Sequence, residues 1–291
     1  RLWSAVPLEI CQATDQTAME KYDHVLIDEA QFFAPSWFQA VRLAMCERSS
    51  LFLCADPNQG FMKNRLSWKS VGLDVSGRTK KLRRSYRTTQ AILASANRIL
   101  AQYAQGDPDD FLVPDLSGME PGVKPMLVYT DSPQDSVDRL VNELSANIEE
   151  RTMALGDLLV IYGENVQKAL LYDRLCRRFG ADSVWWLNKK EHRKAPPKGC
   201  ERDYLRLANL ETATGLEAGV VFLIGMENLL SGSDTPSLGK EVQAAEVEEN
   251  ARKLYMAMTR AGQYLILLSS QRVPAFIEDS FTQLADAPEP A

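Results

Sequence analysis

The chain has no apolar run near the ~20 residues that a membrane-spanning helix needs, and no stretch reads as a secretory leader, so a soluble protein is expected. Cysteine is scarce and scattered. Cys11, Cys46, Cys54, Cys176 and Cys200 are odd in number and form no C-x-x-C pair. That argues against a disulfide framework or a zinc knuckle and makes a reducing cytoplasm the expected compartment. The two histidines, His24 and His192, are too few for a histidine-rich metal site. No internal repeat is present. Also missing is any G-x-x-x-x-G-K followed by Ser or Thr, so these residues do not encode the loop that cradles phosphates with backbone N–H groups and a lysine.

What is present is the composition of an ordinary globular protein, with 45% hydrophobic and 25% charged residues. At 291 residues the chain can hold two domains, each with its own core. The net charge of −6 argues against a basic coat over the whole surface, yet the basic residues are clustered. Arg78, Lys80, Lys81, Arg83, Arg84 and Arg87 come with no acidic residue between them. A second group, Arg174, Arg177, Arg178, Lys189, Lys190, Arg193, Lys194 and Lys198, is diluted by Asp173, Asp182 and Glu191. Local clusters can bind phosphate on an acidic protein. The second group reads equally well as a solvated helix face.

Val25, Leu26 and Ile27 form a short apolar run that ends in Asp28 and Glu29. An amphipathic segment around Trp37, Phe38, Val41, Leu43 and Ala44 follows, and a second run over 51–55 closes on Asp56, Pro57 and Asn58. Strands and helices alternating in this way predict a parallel α/β sheet whose chemistry sits at the carboxyl ends of the strands. Downstream, the pattern predicts helices over 88–103, 134–151, 165–179 and 241–260, and strands over 126–129, 158–162, 220–224 and 264–268. Loops are predicted over 106–125 and 231–239, an irregular stretch over 189–199 and a frayed tail from Asp286. A division near residue 78 gives two α/β domains, 1–78 and 79–291.

Five segments carry candidate chemistry. Asp28 and Glu29 follow a strand, where an Asp can hold Mg²⁺ directly or through water and a Glu can orient an attacking water; an acidic turn leading into a helix is the plainer alternative. Gln59, past the second strand, can touch a γ-phosphate or its attacking water, although Asp56, Pro57 and Asn58 also make an ordinary turn. In the third segment, 82–89, Arg87 is a planar, permanent donor suited to phosphoryl charge, and Tyr86 can stack on adenine. A basic helix start with a half-buried tyrosine is the alternative there. In the fourth, Thr212 and Thr214 let the chain approach a phosphodiester closely, and Glu217 can accept from a ribose hydroxyl; a plain turn before the 220–224 strand is the alternative. In the fifth, Arg260 emerges at the end of the 241–260 helix, where it can act as an arginine finger in cis or simply complement the helix dipole.

In this order and spacing, the five segments resemble motifs II to VI of superfamily 1 helicases of the UvrD/Rep/PcrA class, over about residues 22–268. The stretch 67–78 also resembles the branch of small UvrD-like helicases. The resemblance implies two RecA-like parallel-sheet domains, the first incomplete, with ATP and Mg²⁺ in the cleft between them. It implies Asp28 for Mg²⁺ through water, Glu29 for water activation, and Gln59 as γ-phosphate sensor. It further implies Tyr86 for base stacking, Arg87 and Arg260 for the γ-phosphate, and Glu217 for the nucleotide sugar or phosphate region. Arg65 and Trp68 lie where the family's third motif reaches DNA, and base stacking on an aromatic there is worth about 1–3 kcal/mol. Movement along single-stranded DNA, 3′ to 5′, is the implied activity.

The chain departs from the family in places. Glu211, Thr212 and Thr214 stand where the fifth motif usually has histidine, serine and lysine, which keeps RNA open as the polymer. Phe61 and Met62 displace the usual aromatic after Gln59, and there is no room for a large accessory insertion between the fourth and fifth motifs. Because the chain opens at Arg1, the absent phosphate loop is expected upstream, and these residues alone are expected neither to bind ATP tightly nor to hydrolyse it. A non-catalytic, helicase-derived nucleic-acid-binding or scaffold subunit and an RNA-directed NTPase are the alternatives. No motif points to an oligomeric state or to an attached nuclease domain.

Overall fold

The computed structural model describes residues 5–14, 19–60, 68–69, 71–103, 112–189, 201–230 and 240–283, with the side chains of 201 and 240–244 set aside. The chain divides into two compact units, the first comprising Arg1–Leu82 with Gly106–Leu112, the second Arg83–Gln105 with Val113–Ala291.

In the first unit, α1 (Val6–Ala13) precedes β1 (Tyr22–Ile27), α2 (Pro35–Leu43) and β2 (Met45–Leu53). Pro35 opens α2 where a missing N–H costs nothing. The strands pair in parallel, with Val25 opposite Leu51, Leu26 opposite Phe52 and Ile27 opposite Leu53. The strand period of two sends Val25, Ile27, Leu51 and Leu53 to a small core with Ala30, Phe38 and Val71, and sends Leu26 and Phe52 to the other face. β2 begins well before the apolar run predicted over 51–55, because Met45 pairs with Tyr22 across a register shift that the polar residues 46–49 fill.

The second unit is built on a parallel sheet, seven-stranded among the described residues, in the order β5-β6-β4-β7-β8-β3-β9. Its strands are β3 (Met126–Tyr129), β4 (Leu158–Tyr162), β5 (Val184–Trp186), β6 (Leu205–Asn209), β7 (Ala218–Ile224), β8 (Ala261–Ser269) and β9 (Thr282–Gln283). The α/β fold with parallel sheets is thus as the alternation indicates. β4 is buried throughout, as is β7 from Val220 to Ile224, which is why both read as unbroken apolar runs. The longer helices are α3 (Gln90–Tyr103), α4 (Pro133–Glu149), α5 (Lys168–Phe179) and α7 (Lys240–Met258), with single turns α6 (Glu227–Leu230) and α8 (Ala275–Glu278). Ser132 caps α4, its hydroxyl accepting from the Asp135 amide at 3.2 Å. α3 starts at Gln90 rather than at 88, because the Gln90 and Ala91 amides donate to the Glu120 and Pro121 carbonyls. Among the described residues no helix is long and apolar enough to cross a membrane.

Candidate functional site

In the first unit the two acidic segments follow neighbouring parallel strands and so share one sheet end. The ladder continues past the strands, with Cys54 N–H donating to Ile27 O at 2.8 Å and Ala30 N–H to Cys54 O at 2.9 Å. Glu29 adopts φ 52°, a left-handed conformation that costs a non-glycine residue about 1–2 kcal/mol and that reverses the chain into the turn Ala30–Phe32. Gln31 ties the two ends together: its amide nitrogen donates to the Glu29 carboxylate and its oxygen accepts from the Asp56 N–H at 3.0 Å. Asp56 in turn accepts from the Asn58 N–H at 2.9 Å and from the Gln59 side-chain amide at 2.7 Å. Asn58, 2% exposed, exchanges two 2.8 Å bonds with the backbone of Leu112. Asp28, Glu29 and Gln59 therefore sit at one end of one small sheet, and all but Asp28 are linked through Gln31 and Asp56. Asp28 is exposed, and its carboxylate accepts from the Glu29 N–H at 2.9 Å.

Among the described residues no group of three or more His, Cys, Asp and Glu could cage a metal ion. The donor set fits a cation that keeps its own waters and takes one or two carboxylates plus phosphate oxygens, the way Mg²⁺ is usually held. Asp28 is the residue here that would hold it.

In the second unit, Tyr86 is 90% exposed. Arg87 is ion-paired through Nε to the Glu217 carboxylate at 2.6 Å, both side chains being about half exposed. The segment is braced from behind: Asp115 N–H donates to Arg83 O at 2.8 Å, and Arg84 reaches the Asp115 carboxylate at 3.6 Å and the Ser117 hydroxyl at 3.4 Å. The Ser117 hydroxyl and amide, and then Arg84, hold the Asp115 carboxyl below its ordinary range. Residues 84–88, the turn at 118–120 and Gly262 line an open cavity of about 220 Å³. Gly262 is tight there, since a Cβ would stand 3.4 Å from Arg87 O and 3.3 Å from Ala218 O.

Arg260 lies just past α7 and is 1% exposed rather than standing out from the helix end. Its Nε donates to Met256 O at 3.1 Å, satisfying a carbonyl of the last helical turn, and its Nη1 donates to Leu216 O at 3.3 Å. Three segments far apart in sequence thus converge: Tyr86 and Arg87, Leu216 and Glu217, and Arg260 with Gly262.

Thr212 and Thr214 occupy the turn after β6. The Thr212 hydroxyl accepts from the Asn188 side chain at 2.7 Å, and the Thr214 hydroxyl donates to Glu211 O at 2.7 Å. Trp68 is partly buried in the first unit's core, its ring edge-on to Phe38 at 5.9 Å. Arg65, Phe61 and Met62 lie outside the described residues, as do Lys190, Arg193, Lys194 and Lys198 and the predicted 231–239 loop. The described arginines of the second basic group are ion-paired: Arg174 to Asp138 at 3.4 Å, Arg177 to Asp173 at 2.9 Å, and Arg178 to Glu149. That part of the group is a solvated, salt-bridged face.

No protein-family model matches the chain. No curated protein matches it either. Among solved structures it is similar to the C-terminal domain of a possible DNA helicase from Lactobacillus plantarum WCFS1, at 20% identity and a TM-score of 0.45, over 68% of this chain and 98% of that one.

The sequence assigned no role to the 118–120 turn or Asn188, nor any to Gln31, which closes the strand-end segment Asp28–Gln31. Gln31 had a local signal, a long amide two residues after a strand-end Glu. The other two are joined to their partners only by the fold.

Proposed function

We propose that these residues belong to the motor core of a superfamily 1 DNA helicase of the UvrD/Rep/PcrA kind, which couples ATP hydrolysis to 3′-to-5′ movement along single-stranded DNA. The observation that carries the proposal is the convergence in the second unit, with Arg87 paired to Glu217 beside the buried Arg260 and the exposed Tyr86. Tyr86 offers a bare ring face for adenine. With Nε held by Glu217, the planar guanidinium of Arg87 turns its two Nη groups to phosphate oxygens, where a charged planar donor is strongest. Arg260 is assigned to the same phosphate. Its side chain is 1% exposed, with Nε and Nη1 directed at the Met256 and Leu216 carbonyls, so its engagement requires a local rearrangement.

In the first unit, Asp28 would hold Mg²⁺, which would supply charge neutralisation at the phosphates, while Glu29 would orient and deprotonate the attacking water and Gln59 would sense the γ-phosphate. The bound nucleotide supplies the phosphoanhydride whose cleavage drives motion. Arg65, Trp68, Thr212 and Thr214 serve the nucleic acid. Lacking a phosphate-cradling lysine loop, the 291-residue chain by itself should not turn over ATP, and DNA-stimulated hydrolysis by it would overturn that expectation.

The test is ATP turnover by the full-length natural protein with single-stranded DNA, with RNA and with no polymer. Stimulation by DNA, cut on the order of 10³-fold by Arg87→Ala, is expected if the arginine acts on the transferred phosphoryl group. Stimulation by RNA instead would reassign the polymer, and no turnover under any condition would make the protein a non-catalytic binding subunit.

A further inference from the structure

Asn188, in the turn after β5, joins the carboxyl ends of three strands. Its Oδ1 accepts from the N–H of Asn209, the last residue of β6, at 3.0 Å, and from the Tyr162 hydroxyl at 3.2 Å, at the end of β4. Its Nδ2 donates to Asn209 Oδ1 at 2.9 Å and to Thr212 Oγ1 at 2.7 Å. A side-chain amide has two donors and two acceptor sites, so this one is fully used. The Asn209 N–H needs an acceptor, which fixes which way the amide faces. Tyr162 is itself fixed, taking a 2.9 Å bond from the Trp186 indole N–H.

The consequence falls on Thr212. Its backbone N–H is taken by Asn209 Oδ1 at 2.9 Å, and its hydroxyl oxygen already receives a proton from Asn188. A hydroxyl that accepts in this way is left to donate its own proton elsewhere. Asn188 is exposed, where water would offer the same hydrogen bonds, so the network adds little to folding and mainly sets orientation. The carboxyl ends of a parallel sheet are also where ligands bind. A cation stands at the same rim, with the Lys189 ammonium 4.9 Å from the Tyr172 ring centre.

We infer that Asn188 is a positioning residue that commits the Thr212 hydroxyl to donate a hydrogen bond to a phosphodiester oxygen of single-stranded nucleic acid. The inference rests on the assignment of Thr212 to nucleic-acid contact, and it adds a residue that no motif marks.

The experiment is a double-mutant cycle on binding of the 291-residue chain to labelled oligothymidylate, read by fluorescence anisotropy. Thr212→Val removes the donor. Asn188→Asp keeps shape and both acceptor contacts but puts an acceptor where Nδ2 was, so the Thr212 proton turns inward and the donor to Asn209 Oδ1 is lost as well. Each is expected to weaken binding about tenfold, the size of one hydrogen bond to a charged group. The double variant should be no weaker than either single. If Asn188→Asp weakens binding equally in the Thr212→Val background, its effect is plain charge repulsion and the inference fails.

If Thr212→Val weakens binding while Asn188→Asp leaves it unchanged, the positioning role fails and the Thr212 assignment stands. An unchanged Thr212→Val, or a wild-type chain that does not bind, removes the assignment and the inference with it. Should Asn188→Asp not fold, Asn188→Ala carries the same cycle without adding charge. Its slope of log affinity against log salt should match wild type, because a neutral hydroxyl contact releases no counterion. A flattened slope would mean that the basic rim has been disrupted and would overturn the specific role.

Discussion

The two units use the same parallel pairing and differ in how far they complete it. In the second, Leu158, Val160, Val220 and Phe222 are wholly buried in a parallel sheet that is seven strands wide among the described residues. In the first, two parallel strands are paired among the described residues, and the face carrying Leu26 and Phe52 is 75% and 59% exposed at those positions. Parallel sheets are normally covered on both faces, and a lone strand pair is marginal by itself. The stability of the second unit therefore resides in its sheet. That of the first resides in the cluster of Ile27, Ala30, Phe38 and Val71 on its one covered face.

The largest effect that would sharpen this contrast is Phe222→Ala. Emptying a fully buried aromatic site on β7 should cost about 3–5 kcal/mol, read as loss of the second unit's transition in urea while the first unit's signal persists. A cost below about 1 kcal/mol would mean that the sheet centre repacks freely, and the contrast would be lost.

The next effect separates two arginines of the same candidate site. Arg260→Ala strips donors from the Met256 and Leu216 carbonyls in a buried position, so a loss of about 1–3 kcal/mol is expected. Arg87→Ala removes a half-exposed pair with Glu217 and should change stability by no more than about 1 kcal/mol. Thermal melting of the two variants side by side gives the answer. Equal losses would show that Arg87 is as structural as Arg260, which would weaken its assignment as a residue held ready for phosphate.

Legibility in the sequence followed the same division. β3 and β4 end where the apolar runs end, because strands buried on both faces need continuous Val, Ile and Leu. β6 was missed because its alternation covers only Leu205, Arg206 and Leu207, too short a run to mark a strand, and β5 and β9 because they are only three and two residues long. Tyr86, Arg87 and Glu217 could be named in advance, since each sits in a compact local pattern. The pairing of Arg87 with Glu217 could not, because no local signal couples a residue just before β7 to one ahead of α3. The burial of Arg260 was equally hidden: a helix-end arginine looks the same in sequence whether it faces solvent or folds back onto its own last turn.

The smallest expected effect concerns the open face of the first unit. Leu26 and Phe52 are opposite one another across β1 and β2, and both point away from the cluster around Phe38. Replacing them together, Leu26→Thr with Phe52→Ser, exchanges exposed apolar surface for polar surface while the β-branched threonine keeps strand propensity. The stability change should stay within about 0.5 kcal/mol, and binding of a hydrophobic dye should fall, since the patch it would occupy is gone. A loss of about 2 kcal/mol or more would mean that these side chains are covered in solution, as in a complete parallel layer. The first unit would then owe its stability to both faces of its sheet, just as the second does.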